Sequence, residues 1–281
     1  MGGKVALVTG GTSGIGKATA TALAAMGAEV VVTGRSLERG EKAVEEIRRD
    51  SGGKVSLMRA DLAVQAEVRR LAEEFQERYD RLDVLVNNAG LIQSKRTETP
   101  DGIETTLAIN HLAPFLLTNL LLDLLKKSAP SRVVTVSSGA EGVGKIDFDD
   151  LQSQKRYRGF KVYGTTKLMN IMFTFELAER LRGTGVTATC MHPGAVNTSF
   201  GAKDGGLFSF MFRAFKPFMR SPEQGADTLI YLASSPDAEG MTGKYLSDRK
   251  MQTASRKAYD EDLRKRLWEV SEQLTGLEVT A

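Results

Sequence analysis

Tyr163 and Lys167 have the clearest potential for chemistry in this chain, because only three small residues separate them. Positions four apart on a helix lie on the same face, so the phenol and the ammonium group would be neighbours. A phenol has a pKa of about 10 and is a poor proton donor or acceptor at neutral pH. A cation ~5 Å away, at an effective dielectric constant of ~20, favours the phenolate by roughly 3 kcal/mol, or about 2 pKa units. The pair therefore predicts a tyrosine that acts as a general acid–base catalyst.

Tyr157 and Lys161 have the same spacing, so spacing alone does not identify the catalytic pair. Tyr157 lies in a polar run with little helical patterning. Tyr163, in contrast, precedes apolar residues at helical spacing, namely Leu168, Ile171, Met172 and Phe175. The sequence therefore favours Tyr163 with Lys167.

A glycine-rich turn near the start of the chain follows an apolar run at residues 4–8 and precedes apolar residues at helical spacing. Glycines in such a turn let the backbone approach a pyrophosphate, whose charge is stabilised by the N-terminus of the following helix. The turn could also join strand and helix for structural reasons alone, but a second predicted strand at 29–33 favours a dinucleotide site. The turn residues predicted to bind the cofactor are Gly10, Thr12, Ser13, Gly14, Ile15 and Gly16.

The end of the second predicted strand distinguishes between the two nicotinamide cofactors. An NAD site usually has a carboxylate there for the ribose 2′-hydroxyl, whereas an arginine accommodates the 2′-phosphate of NADP. This strand ends at Gly34-Arg35 with no acidic residue, and Ser36 adds a possible hydrogen-bond donor. The alternative is a solvated loop arginine. We interpret Arg35 and Ser36 as an NADP site.

Polar and small residues follow four further predicted strands, at 54–59, 82–86, 132–136 and 186–191. Ligands of an open parallel sheet gather at the carboxyl ends of its strands, so these residues are expected to face one site. Asp61 is suited to accept a hydrogen bond from an adenine amino group, and Leu62 to cover the ring. The other strand-end residues are Asn88, Ala89, Gly90, Ser138, Pro193 and Gly194.

Together these residues resemble the short-chain dehydrogenase/reductase family from residue 4 to about 245. Within the family the chain is most similar to the retinol dehydrogenase and WW-domain oxidoreductase branch, on the basis of residues 110–115, 145–151 and 163–173. The resemblance implies an α/β fold of one domain, residues 1–281. This domain would be a doubly wound Rossmann-type parallel sheet of about seven strands with helices on both faces. The serine-to-tyrosine interval of 25 positions is longer than in many members, so residues 141–160 are expected to bulge over the mouth of the site.

The resemblance also implies an activity, the NADPH-dependent interconversion of a carbonyl compound and an alcohol. Tyr163 would donate the proton, Ser138 would bind the carbonyl oxygen, and Lys167 would hold the nicotinamide ribose. Asn110 would anchor a water that relays protons to Lys167. The carboxamide and pyrophosphate would be seated by Pro193, Gly194, Val196 and Thr198. Taken singly, Ser138 could be a turn serine and Asn110 a helix-surface amide. A non-catalytic NADPH-binding sensor or scaffold on the same fold is the alternative function.

The composition and charge of the chain argue against several other classes of function. A net charge of +3, distributed over mixed-charge helices, does not favour nucleic-acid binding. The single cysteine, Cys190, excludes an intrachain disulfide and favours a reducing cytoplasm. The two histidines, His111 and His192, are too few for a histidine-based metal site, so no metal is expected. The apolar run at 115–125 is too short and too polar to span a bilayer, and no basic and apolar leader precedes residue 4.

Two segments are predicted with less chemical detail. Six of the twelve phenylalanines lie between residues 200 and 218, which suggests a lid over an apolar or aromatic substrate at about 198–222. Packing of a helix pair or subunit contact, and peripheral membrane contact, are the alternatives. Residues 254–274 predict an amphipathic helix that closes the site or binds a neighbour. The resemblance allows a homodimer or homotetramer that pairs through the helices beginning near Pro100 and Tyr163.

Overall fold

The computed structural model describes residues 1–197 and 219–277. Eight strands of this part form one sheet in the order β3-β2-β1-β4-β5-β6-β7-β8. The strands are β1 (Val5–Val8), β2 (Glu29–Gly34), β3 (Val55–Arg59), β4 (Val84–Asn87), β5 (Ser131–Val136), β6 (Val186–Met191), β7 (Lys244–Ser247) and β8 (Lys250–Met251). The first seven run parallel, and β8 pairs with β7 in the antiparallel sense.

Helices cover both faces of the sheet. Their bounds are α1 (Gly14–Ala25), α2 (Leu37–Ser51), α3 (Gln65–Arg78), α4 (Thr105–Leu107), α5 (Ala113–Leu120), α6 (Leu122–Lys127), α7 (Gly159–Arg180), α8 (Pro222–Ser234) and α9 (Glu261–Thr275). A π-helical turn, Ala108–Leu112, joins α4 to α5. Four 3₁₀ turns lie at Gly139–Val143, Phe148–Asp150, Pro236–Ala238 and Arg256–Tyr259.

Alternation along the strands divides the core in two. In β1, Leu7 packs with α3, α5 and α7, whereas its neighbours Ala6 and Val8 pack with α1, α2 and α8. Successive strand residues point to opposite faces, and a parallel sheet that is covered on both sides needs apolar residues at every position. The predicted doubly wound sheet with helices on both faces is confirmed.

The C-terminal helix α9 packs on α7 and α5 around Trp268. The indole lies 4.9 Å from the Phe115 ring and 5.8 Å from the Phe173 ring, centroid to centroid. The guanidinium group of Arg180 lies 4.2 Å over the indole, a favourable cation–π contact. Buried residues consequently occur on all sides of α7. The predicted helix at 254–274 begins later, at Glu261, because residues 256–259 form a 3₁₀ turn and the Asp260 side chain caps α9.

No helix in residues 1–197 or 219–277 is long and apolar enough to cross a membrane.

Candidate active site

The glycine-rich turn between β1 and α1 is held by the loop that follows β4. The Asn88 side-chain amide donates to the carbonyl oxygens of Thr9 at 2.8 Å and Gly10 at 3.3 Å. The Thr9 hydroxyl accepts from the backbone N–H groups of Asn88 and Ala89. An ideal Cβ on Gly16 would lie 2.4 Å from the Asn88 amide nitrogen and 2.5 Å from the Gly10 carbonyl oxygen. Only glycine therefore fits at position 16. The hydrogen bonds of Thr9 and Asn88 and this close approach fix the shape of the turn.

The N-terminus of α1 has no side-chain cap. Ser13 occupies the N-cap position without a cap hydrogen bond, and no acidic residue stands in the first turn. Gly10 and Gly14, with φ of 63° and 53°, turn the backbone into this helix start. Uncapped N–H groups and the positive end of the helix dipole form a binding site for an anion. This arrangement fits a dinucleotide pyrophosphate.

Two arginines meet at the end of β2. Arg35 is exposed, and its carbonyl oxygen accepts a 3.2 Å hydrogen bond from Nε of Arg59. Arg59 is the last residue of β3 and pairs in register with Gly34. The Ser36 hydroxyl caps α2 by accepting from the Arg39 backbone N–H at 3.4 Å. The end of β2 therefore presents the exposed guanidinium groups of Arg35 and Arg59. The Ser36 hydroxyl lies beside them and caps α2.

Asp61 and Leu62 follow β3 at the same edge of the sheet and are both half-buried. One Asp61 carboxylate oxygen accepts from the Ala63 N–H at 3.0 Å, which fixes the orientation of the carboxylate.

Tyr163, Lys167 and Ser138 come together where β5 ends and α7 begins. The Lys167 Nζ lies 5.5 Å from the centroid of the Tyr163 ring and donates to the Val136 carbonyl oxygen at 3.1 Å. The side chains of Tyr163 and Ser138 are hydrogen-bonded. A helical turn and a strand end thus bring together a phenol, a hydroxyl and an amine, as the sequence predicted.

Burial changes the acidities of both members of the Tyr163–Lys167 pair. It raises the pKa of Tyr163 to about 12, against the opposing effect of the Ser138 hydrogen bond. It also lowers the pKa of Lys167 to about 8. The direction for Tyr163 is opposite to the expectation from Coulombic attraction alone. The reason is desolvation, which disfavours the charged form of each group and which sequence spacing does not reveal.

Asn110 lies in the π-helical turn and is fully buried. Its side chain exchanges two 2.8 Å hydrogen bonds with the backbone of Leu91 and donates to the Thr166 hydroxyl on α7 at 3.1 Å. The amide therefore ties α7 to the loop after β4. Its backbone carbonyl has no α-helical partner, because the residue four positions later is Pro114, which lacks an N–H.

Pro193 and Gly194 follow β6, and Gly194 has a φ of 74°. Val196 packs against α8, where an ideal Cβ on Gly225 would lie 2.6 Å from Val196 and 3.3 Å from Ile15. The structure thereby brings Ile15 and Val196, which are 181 positions apart, to one point. Thr198 and the phenylalanine-rich segment up to residue 218 lie outside the described residues, and the end of the predicted lid region forms the start of α8.

Comparison with known proteins agrees with this geometry. A family model described as short chain dehydrogenase matches residues 4–205. Retinol dehydrogenase 12 of Mus musculus is 45% identical over 277 residues, which cover 98% of this chain and 87% of that protein. The chain belongs to the short-chain dehydrogenase family. The predicted family and its retinol dehydrogenase-like branch are confirmed.

Two solved structures resemble this short-chain dehydrogenase over most of its length. An uncharacterized protein from Mycobacterium Paratuberculosis superposes with a TM-score of 0.81 at 32% identity, covering 100% of this chain and 96% of that one. A short chain dehydrogenase from Burkholderia cenocepacia J2315, solved in complex with NADP, gives a TM-score of 0.70 at 29% identity. It covers 87% of this chain and 96% of that one.

In this short-chain dehydrogenase Tyr157, the other tyrosine with a lysine four positions later, has a different environment from that of Tyr163. Its hydroxyl donates to the Glu104 carboxylate at 3.1 Å and lies 3.2 Å from the Thr106 hydroxyl. Glu104 is fully buried, and its carboxylate caps α4 through the N–H groups of Thr106 and Leu107. Lys161 is exposed. Tyr157 thus connects the 141–160 insertion to the start of α4.

The sequence did not indicate two residues, Arg59 beside Arg35 and Glu104 beside Tyr157. The register between β2 and β3 could have indicated Arg59, because it places the last residue of β3 beside Gly34. No local pattern indicated Glu104, since its contact with Tyr157 spans 53 positions.

The two histidines predicted not to form a metal site both have defined places in the structure. His111 is buried and bonds Ser271 of α9 at 2.9 Å, and His192 precedes Pro193. Among the described residues, no group of three or more histidine, cysteine or acidic side chains could hold a metal ion.

Proposed function

We propose that this short-chain dehydrogenase is an NADPH-dependent reductase of apolar aldehydes or ketones, with the corresponding alcohol oxidation as the reverse reaction. The observation that carries the proposal is the convergence of Tyr163, Lys167 and Ser138 with the uncapped N-terminus of α1 at the carboxyl edge of one sheet.

The described residues fit NADP(H). The pyrophosphate would be held by the N–H groups at the start of α1, and the 2′-phosphate by Arg35 with Arg59 beside it. The absence of a carboxylate in the last positions of β2 agrees with this choice. The residues proposed to contact the cofactor are those predicted from the sequence, together with Arg59. When bound, NADPH supplies the hydride that reduces the carbonyl carbon.

Tyr163 would supply the proton. With a pKa raised to about 12, the phenol retains its proton at neutral pH. An alcohol is a much weaker acid than this phenol, so proton transfer from the phenol to a developing alkoxide is downhill. Ser138 would orient the same oxygen through its hydroxyl and stabilise the charge that forms there. The protonated phenol therefore suits the reducing direction.

Lys167 and Asn110 would support the proton supply. Lys167 uses one of its three N–H donors on Val136, and we assign the others to the ribose hydroxyls and a water. The water would bond the backbone carbonyl of Asn110 rather than its side chain, because the side-chain amide is engaged with Leu91 and Thr166. This refines the role expected for Asn110 from the sequence.

An apolar substrate is proposed for two reasons. The named relative is a retinol dehydrogenase, and the segment between residues 200 and 218 holds six phenylalanines. A long apolar aldehyde such as retinaldehyde is therefore the first substrate to test.

Localisation in the cytoplasm, a single domain over residues 1–281 and a homodimer or homotetramer all stay predictions. Because α9 covers α5 and α7, we propose that any second copy docks elsewhere on the surface.

The decisive experiment compares two conservative variants. Tyr163→Phe should lower kcat for NADPH-dependent retinaldehyde reduction at least ~100-fold, because it removes the proton donor. Its NADPH affinity should remain near that of the wild type. Tyr157→Phe is the matched control, which should retain kcat and lose about 1 kcal/mol of stability with its hydrogen bond to Glu104.

The reverse result, with Tyr157→Phe inactive and Tyr163→Phe active, would refute the assignment. Tight NADPH binding by the wild type with no turnover of any aldehyde, ketone or quinone would instead favour the sensor or scaffold function.

A further inference from the structure

The hairpin between β7 and β8 has an unusual backbone. Its two loop residues, Asp248 and Arg249, have φ angles of 52° and 57°. Two-residue hairpins of this geometry favour asparagine and glycine, and side chains such as arginine adopt it rarely. Such a conformation persists when surrounding contacts hold it.

Each loop residue is held by a two-pronged ion pair. Asp248 pairs with Arg220 through both carboxylate oxygens, one at 2.9 Å from Nη2. Arg249 pairs with Asp227 of α8, where Nε lies 2.7 Å from the carboxylate. The Arg249 backbone N–H also donates to the Thr228 hydroxyl. The two pairs have similar chemistry but lead to different parts of the molecule.

Arg220 connects its pair to the loop after β6. Its backbone exchanges hydrogen bonds of 2.9 Å with Ala195 and Asn197. Its guanidinium packs on Gly194, since an ideal Cβ there would lie 3.1 Å from the guanidinium carbon. Nη1 approaches the carbonyl oxygen of Pro193 to 3.5 Å. Arg220 thus contacts the loop from Pro193 to Asn197 along its described length.

We propose that Arg220 and Asp248 are positioning residues that fix the loop of Pro193 and Gly194 at the nicotinamide end of the cofactor site. Asp248 orients the guanidinium, and the guanidinium supports Gly194 from the side of the hairpin. The inference rests on the proposed function, because this loop is the one assigned there to the carboxamide. The Arg249–Asp227 pair holds the same hairpin to α8, whereas the three atoms nearest to a Cβ built on Gly194 all belong to Arg220.

The test measures binding of two probes by titration. NADPH occupies the whole cofactor site. The probe 2′,5′-ADP lacks the nicotinamide, so its affinity reports only on the part of the site that binds the adenosine and its 2′-phosphate. Arg220 and Asp248 are 38% and 58% exposed, so the pair is screened by solvent and a modest effect is expected. Asp248→Asn should weaken NADPH binding about fivefold and lower kcat while leaving 2′,5′-ADP binding unchanged.

Arg220→Gln should behave as Asp248→Asn does, and Arg220→Lys should recover only part of the loss, because an ammonium lacks the planar fork of a guanidinium. Asp227→Asn is the matched control and should leave both ligands and kcat unchanged. Thermal denaturation should give nearly equal transition temperatures for all four variants.

Three results would overturn the inference. They are unchanged NADPH binding and kcat in Asp248→Asn, an equal loss for both probes, or the same loss in Asp227→Asn. Failure of the proposed function would be distinguishable, because the wild-type protein itself would then fail to bind NADPH or to reduce any carbonyl compound.

Discussion

Lys167→Met should make this protein more stable at neutral pH while removing its activity. Lys167 is 3% exposed, and burial lowers its pKa from the ordinary 10.5 to about 8. At ~1.4 kcal/mol for each pKa unit, burial of the charged form costs about 3 kcal/mol at pH 7. Methionine has a similar length and no charge.

The loss of one hydrogen bond offsets part of this gain. Lys167 donates to the Val136 carbonyl oxygen, a contact worth ~1 kcal/mol. That oxygen keeps a second donor, the Asn170 amide at 3.3 Å, so it is not left unsatisfied in the variant. The net expectation at pH 7 is a free energy of unfolding about 2 kcal/mol higher, or a Tm about 4 °C higher.

The gain should depend on pH. Below pH 8 both the folded and the unfolded wild type hold the lysine proton, so the full cost of the buried charge is present. Between pH 8 and 10.5 the folded protein releases the proton and the unfolded chain keeps it, so the wild type gains stability relative to the variant. The difference should therefore shrink to near zero by pH ~9.5.

Urea unfolding of the protein without cofactor, at pH 7.0 and 9.5, measures this difference. Lys161→Met is the matched control on the same helix, and because Lys161 is exposed it should give no pH-dependent difference. A Lys167→Met variant that is less stable than the wild type at pH 7, or a stability gap that is equal at both pH values, would refute the reasoning.

Two further predictions concern the cofactor and acid stability. Arg35→Asp should weaken NADPH binding roughly 10- to 150-fold in a fluorescence titration, since a charge-assisted contact is worth about 1.5–3 kcal/mol. Arg49 is exposed on α2, so Arg49→Asp is the control and should leave NADPH binding unchanged. An unchanged preference for NADPH over NADH in Arg35→Asp would contradict the assignment of Arg35 to the 2′-phosphate. Burial lowers the pKa of His111 from 6.5 to about 4, so the unfolded chain binds its proton first and stability should fall by up to ~3 kcal/mol from pH 6.5 to 4. His111→Gln should reduce that loss in urea unfolding at pH 4.5 relative to pH 7, and an equal loss in both proteins would exclude His111 as its source.

The strands were predictable because burial in a sheet covered on both faces favours short runs rich in apolar and β-branched residues. The run at 186–191 matches β6 residue for residue, and the run at 54–59 differs from β3 by one position. Since parallel strands end at one edge, the same runs also predicted which polar residues would meet. The start of α9 was predicted too early, because a 3₁₀ turn and the Asp260 cap occupy the first part of the amphipathic stretch.

The electrostatic properties of the site were not predictable in the same way. Spacing identified Tyr163 and Lys167 as neighbours, but the direction of the tyrosine pKa depends on how much protein surrounds both groups. The support of Gly194 by Arg220 was equally hidden, because it arises only when the hairpin after β7 folds back on the loop after β6.

The Glu104 carboxylate joins two parts of the molecule that could otherwise vary independently. It accepts from Tyr157 in the long insertion and at the same time begins the helical segment that leads through the π-helical turn to Asn110. The Tyr157 hydroxyl and the first N–H groups of α4 therefore share one carboxylate, so the position of the insertion and the start of α4 are coupled through Glu104. Substitutions elsewhere in the insertion that keep this hydrogen bond should leave the start of α4 unchanged.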